Sequence, residues 1–166
     1  MLASDPVRGS IRIPIWLWRQ VVIQLRLRGK GKSESGAFLL GRQDNPSGRV
    51  TAFICYDDLD PNAYQGGAIA FHGGGHAALW KHCRRNNLRA LADVHTHPGR
   101  NVGQSPIDQR NPMIPVQGHI AIILPNLGKV PWWSLDAAGI YEYLGNFEWR
   151  RHSSSSAKRC AKLIPW

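Results

Sequence analysis

Residues 94–108 read VHTHPGRNVGQSPID, with two histidines one residue apart, a proline, a turn-forming loop and then Ser-Pro-Ile-Asp. In an extended strand residues i and i+2 project to the same side, so His95 and His97 point into one space and Thr96 turns away. Two imidazoles placed this way can chelate. A catalytic zinc site asks for three protein ligands drawn from His, Asp or Glu, with a further position left for water. Asp108 is the third donor within reach, because the loop is short enough to fold back and a helix beginning near Ser105 presents the carboxylate toward the strand end. The same residues also make a good helix start, with Ser105 as N-cap, Pro106 at the first helical position and Asp108 complementing the free N–H groups. Taken alone, Ser105 and Asp108 read as caps rather than catalysts. The joint pattern H-x-H-P, six residues, S-x-x-D is what points to chemistry.

The surrounding chain alternates strand and helix patterns. LRALADVHTHP reads as a strand ended by Pro98, preceded by a helix from about His76 to Asn86. ESGAFLLGR is a short apolar run bounded by turn residues, and with the turn-rich QDNPSG and the run RVTAFICY it predicts a β-hairpin. Upstream, IRI and Pro14 lead into a helix over 15–28, where Trp18, Val21, Val22 and Leu25 recur at helical spacing although IQLRLR also alternates like a strand. Downstream, SPIDQRNPM begins like a helix, GHIAIILP is a strand buried on both faces, and AAGIYEYLG with FEWR predicts a closing hairpin. Such alternation indicates a mixed α/β sheet covered by helices. The glycine-rich segment between Asp57 and His76 reads as a long loop of the kind that carries function.

At 166 residues the chain suits one domain that buries roughly 70% of its unfolded surface. Residues 1–10 read as a leader, 11–151 as the domain, and 152–166 as a serine-rich basic tail whose four serines look like a flexible connector. The apolar run IRIPIWLWRQVVIQLRL is broken by Arg12, Arg19, Gln20, Gln24 and Arg26, which excludes a membrane span, and no export signal is visible. Cys55, Cys83 and Cys160 are odd in number and widely spaced, as expected of reduced thiols in a cytoplasmic protein. Lys and Arg outnumber Asp and Glu 21 to 11, a net charge of +10 that favours acidic partners. The positive charge is spread over the chain rather than gathered in a nucleic-acid-binding module, so a nucleic-acid role is disfavoured. His72, His76, His82, His119 and His152 are assigned to structure or solvent, with a second metal site at His72 and His76 disfavoured.

The segment 95–108 resembles the signature of the JAMM, or JAB/MPN-type, metallopeptidases, in which an upstream glutamate accompanies H-x-H-P-x6-S-x-x-D. Every fixed position of that signature is present, and ESGAFLLG supplies Glu34, Gly36 and Gly41 in the upstream element. The resemblance extends from about Arg12 to Trp149. It implies a single JAB/MPN-like domain with a central mixed, curved sheet flanked by helices, in a cytidine-deaminase-like architecture. It further implies one zinc ion per chain held by His95, His97 and Asp108, with Glu34 as general base and Ser105 holding the oxyanion. Glu34 is the only acid between Asp5 and Asp44, and the strand it opens is too apolar for a sheet edge.

Members of this family cleave peptide or isopeptide bonds after the C-terminal residue of ubiquitin or ubiquitin-like proteins. The resemblance therefore implies deconjugation or maturation of a ubiquitin-like protein, with loops 57–76 and 99–104 as expected walls of the channel for its tail. The compact chain is similar to the prokaryotic JAB branch, whose operons carry ubiquitin-like, E1-like and E2-like partners, including defence systems of the Bil and CBASS types. Trimming of a sulfur-carrier protein, a metal-free MPN scaffold and a basic nucleic-acid-binding protein are the alternatives.

Overall fold

The computed structural model describes residues 10–71 and 73–166. All of the expected leader except Ser10, and the reading of His72, lie outside the described residues. Six strands form the main sheet: β2 (Gly36–Arg42), β3 (Ala52–Cys55), β4 (Leu88–Thr96), β5 (Ile120–Leu124), β6 (Gly139–Gly145) and β7 (Glu148–His152). Their spatial order is β3-β2-β4-β5-β6-β7. Only β4 and β5 run parallel; all other neighbours are antiparallel. The period-two pattern sorts side chains between two cores. Ala37 and Leu39 of β2 join Ala92 and Val94 of β4 on one face, while Phe38 and Leu40 face the other with Tyr56, Leu79 and Cys83. Every residue of β5 is buried, as a strand covered on both faces requires.

The first core is covered by α1 (Ile15–Gly29), where Leu17, Trp18, Val21, Val22 and Leu25 are buried. That spacing is one helical stripe, and it prevails over the strand-like alternation of IQLRLR because five side chains reach the core together. Pro14 ends β1 (Ile11–Pro14) and leads directly into the helix, while Lys30 closes it in the left-handed region with its N–H on the Leu27 carbonyl. The second core is covered by α2 (Tyr56–Leu59) and α3 (Gly73–Asn86). The mixed sheet covered by helices on both faces is the predicted fold class.

Two segments depart from the sequence reading. Helix α3 begins at Gly73, three residues before the expected start, because GGG forms its first turn. Glycine is the weakest helix former after proline, but a Cβ on Gly75 would lie 2.6 Å from the Phe71 ring, so close helix packing requires it there. The serine run is not a flexible connector. It opens α5 (Ser154–Cys160), which is followed by β8 (Ala161–Ile164), and β8 pairs in parallel with β1. Cys160 and Ala161 are buried in the first core, so the tail folds against the N-terminal strand by burying apolar surface.

Cys55, Cys83 and Cys160 are buried and form no disulfide. Burial pushes the thiols of Cys55 and Cys160 up to about 12, which keeps them unreactive. No helix among the described residues is long and apolar enough to cross a membrane.

Candidate metal centre

The site is assembled where the start of β2 meets the end of β4. Gly36 is registered opposite His95, and the segment before it is stitched to Thr96: the Thr96 N–H donates to the Ser35 carbonyl at 2.9 Å, and the Ser35 N–H donates to Thr96 Oγ1 at 3.0 Å. Buried Ser35 also donates its hydroxyl to the Leu25 carbonyl of α1. These bonds bring Glu34 to the strand end that carries the histidines. Gly36 has a steric reason: a Cβ there would lie 2.2 Å from the Tyr56 ring, and Tyr64 Oη bonds both its N–H and its carbonyl. At Gly41 a Cβ would collide with Leu91 at 2.5 Å and the Arg49 carbonyl at 2.7 Å. Both signature glycines therefore admit neighbours into the space of a side chain.

His95 and His97 lie on one side of the strand line, their Nε2 atoms 3.2 Å apart. Although β4 ends at Thr96, the His97 N–H still donates to the Leu124 carbonyl and continues the ladder. Asp108 comes from α4 (Pro106–Arg110), with Oδ1 3.5 Å from His95 Nε2 and Oδ2 3.3 Å from His97 Nε2. The three donor atoms lie within 4.8 Å of one another, the one such group among the described residues. Capping and convergence coincide. The Ser105 N–H donates to Asp108 Oδ2 at 2.7 Å and the Asp108 N–H to Ser105 Oγ at 3.1 Å, a capping box that also holds the carboxylate toward the histidines.

The donor chemistry fits a divalent ion. His97 Nδ1 lies 2.9 Å from the Asn101 carbonyl, which can only accept, so Nδ1 carries a proton; Nε2 faces the centre, where it donates to Asp108 while the ring is protonated and would offer its lone pair to an ion once the ring is neutral. Burial pushes the Asp108 carboxyl up, but the hydrogen bonds from His95, His97 and the Ser105 amide outweigh it and hold the group well below the usual carboxylate range. The hydrogen bond to Asp108 raises His97. Two imidazole nitrogens and one carboxylate, buried or half-buried and converging, form a group that could hold a metal ion.

Glu34 lines the same cleft, a space of about 1060 Å³ that also takes in Ile69 to Phe71 and Asn101, Gly103 and Gln104 from the two loops. Burial raises the Glu34 carboxyl, and the nearby imidazoles counter part of that shift. Ser105 Oγ accepts from the Asp108 amide, and its own proton has no acceptor among the described residues.

Three further residues were not singled out from sequence. Trp149 of β7 donates its indole N–H to the Gln109 carbonyl of α4 at 3.1 Å, and Tyr141 of β6 donates its hydroxyl to Val102 in the metal loop at 2.7 Å. Helix α4 has no buried residue of its own, so these latches and the capping box hold it. Asp93 is buried one alternation before His95, bonded to His119 Nε2 at 2.7 Å and Tyr56 Oη at 3.3 Å. The D-x-H-x-H spacing put Asp93 on the face of the histidines, a signal the sequence reading passed over. His76 is occupied structurally, its Nε2 2.7 Å from the Met113 carbonyl.

Comparison with solved structures places this architecture. A JAB1/MPN domain protein from Archaeoglobus fulgidus matches with a TM-score of 0.52 at 13% identity, over 94% of this chain and 99% of that one. The fold is that of a JAB1/MPN domain. A protein from Desulfitobacterium hafniense has a TM-score of 0.60 at 17% identity, over 93% of each chain. Another from Salinibacter ruber has 0.56 at 14% identity, over 86% of this chain and 89% of that one. No protein-family model matches the sequence. The JAB1/MPN likeness thus rests on shape, and the donor set on this chain's own residues.

Proposed function

We propose that this JAB1/MPN-fold protein is a zinc-dependent peptidase of the JAMM type that cleaves after the C-terminal residue of a ubiquitin-like protein. The observation that carries the reading is the convergence of His95, His97 and Asp108 donor atoms within 4.8 Å, in a cleft that also contains Glu34. His95, His97 and Asp108 would hold a zinc ion, which would supply Lewis acidity, acidifying water toward a pKa of ~7 and polarising a carbonyl. Glu34 takes a proton from the attacking water and hands it to the leaving nitrogen; its raised carboxyl is suited to both halves of that exchange. The free hydroxyl proton of Ser105 is donated to the carbonyl oxygen as charge develops on it. Asn101 and Trp149 act at one remove, the first by fixing the His97 tautomer and the second by holding α4.

An extended, glycine-ended tail is the substrate this reading expects, since glycine lets a backbone come closer to the donors than any residue with a side chain. The substrate is then a ubiquitin-like protein, or its conjugates, in a cytoplasmic bacterial conjugation system of the Bil or CBASS type served by E1-like and E2-like partners. The test joins metal analysis with cleavage of a ubiquitin-like protein fused through its C-terminus to a reporter. Wild type is expected to carry zinc and cleave, Glu34→Ala to keep zinc without cleaving, and His97→Ala to lose both. Stoichiometric zinc without cleavage of any ubiquitin-like fusion would reduce the protein to a scaffold, and cleavage by Glu34→Ala would remove the proposed base.

A further inference from the structure

Strand β4 is paired unequally on its two sides. Toward β2 it is paired from Leu88 to His95, with Ala90, Arg89 and Leu88 opposite Leu40, Gly41 and Arg42 and a register shift that leaves Leu91 without an opposite residue. Toward β5 pairing begins only at Ala92 opposite Ile120, so residues 88–91 have no strand partner on that side among the described residues. The segment leading into β5 does not supply one. Its backbone bonds run from Val116 to Ile114, from His119 to Val116, and from Gly118 to Tyr143 of β6.

A cleft of about 1010 Å³ lies along this edge, and Leu88, Arg89, Ala90 and Leu91 all line it. Successive strand residues point to opposite faces, so Leu88 and Ala90 face one way and Arg89 the other, and a space touched by all three runs along the strand's rim rather than over either face. Its polar lining among the described residues includes Ser10, Arg84, Asn87, Arg89 and Gln117, with no carboxylate. Among the described residues Arg84 has no ion-pair partner and the Arg89 guanidinium bonds only the carbonyls of Arg42 and Asn45, so no described carboxylate neutralises either charge. The chain has no acid between Asp60 and Asp93, and Asp44, in the nearby hairpin turn, is engaged by Arg42 at 3.1 Å. Trp80 and Val116 stand exposed beside the rim, at 40% and 61%.

We infer that this rim docks an acidic peptide in extended conformation, which continues the sheet along residues 88–91 and sets its carboxylates against Arg84 and Arg89. An unpaired strand edge offers alternating N–H and C=O groups that match a peptide backbone. A nucleic acid would use the charge and leave that ladder unused. The cleft shares no lining residue with the metal cleft and sits at the other end of the same strand, roughly 20 Å away at ~3.3 Å per residue. The inference stands independently of the proposed peptidase activity, because its test reads binding.

The probe is a fluorescein-labelled octapeptide of alternating Glu and Val, titrated with the full-length protein at low salt and followed by anisotropy. Saturable binding is expected, weakening as salt rises, with new hydrogen-exchange protection at the amides of residues 88–91. N-methylation of alternate peptide amides is expected to weaken it by about tenfold or more, the loss of one or two hydrogen bonds. Arg84→Glu is expected to weaken it by a similar factor and Arg84→Gln by less, each with an unchanged circular dichroism spectrum. The inference is overturned by absence of saturable binding, by equal binding of the N-methylated peptide, by an Arg84→Glu protein that binds like wild type, or by single-stranded DNA that binds more tightly and displaces the peptide.

Discussion

The two ends of β4 are built in opposite ways. At its C-terminal end the strand is flanked by β2 and β5, stitched to Ser35 through Thr96, and faced by a helix that its own cap and Trp149 hold in place. At its N-terminal end, among the described residues, it is flanked by β2 alone and opens into a basic cleft. The first end has used its backbone hydrogen bonds to fix side chains, and the second has left them available. Ligands that must share one ion tolerate errors of only a few tenths of an ångström, so their supports have to be rigid. A docking edge needs unspent donors and acceptors.

The largest expected effect is at the rigid end: His97→Ala lowers bound zinc from about one per chain to near zero while keeping the fold, read by metal analysis and circular dichroism. Glu34→Gln keeps the metal and lowers the cleavage rate by about 10²–10⁴-fold, measured at saturating zinc; loss of metal in that variant would instead make Glu34 part of the ligand cage. Gly36→Ala drives a methyl group into the Tyr56 ring and is expected to destabilise the protein by ~1–3 kcal/mol in urea unfolding. Trp149→Phe removes the indole donor to Gln109 and is expected to weaken zinc binding by about tenfold with little change in stability. Unchanged affinity would mean that the capping box alone positions Asp108.

The smallest effect is a pH window in the metal-free protein. Asp108 is held low, so its contribution is present above its unfolded value near ~3.9 and is lost as pH falls through the folded value. His97 is raised, so its contribution is full below ~6.5 and is lost as pH rises through the folded value. Metal-free stability is therefore expected to be greatest between about pH 4 and about pH 6.5, and Asp108→Asn to flatten that window in thermal melts.

Much of the site could be read locally. The spacing of His95 and His97 is a property of any extended strand, and the Ser105 to Asp108 box closes within one helical turn. Hydrophobic spacing also located α1, the β2–β3 hairpin and β5, because each buries a complete stripe or run. The errors fell where a residue's preference was overruled by something distant in sequence. Three glycines read as a loop but start α3 because Gly75 must admit Phe71, and four serines read as a connector but start α5 because Cys160 and Ala161 reach the first core.

The sequence by itself determined the donor chemistry and its local geometry, since strand alternation and helix capping act over a few residues. The tertiary structure alone decided that Glu34 stands beside histidines 61 and 63 positions later, that Asp93 meets His119, and that residues 88–91 lack a partner toward β5. Those outcomes depend on which strands lie side by side and where each begins. Strand order and register minimise the free energy of the whole sheet and both cores together, and no short window of residues contains that information.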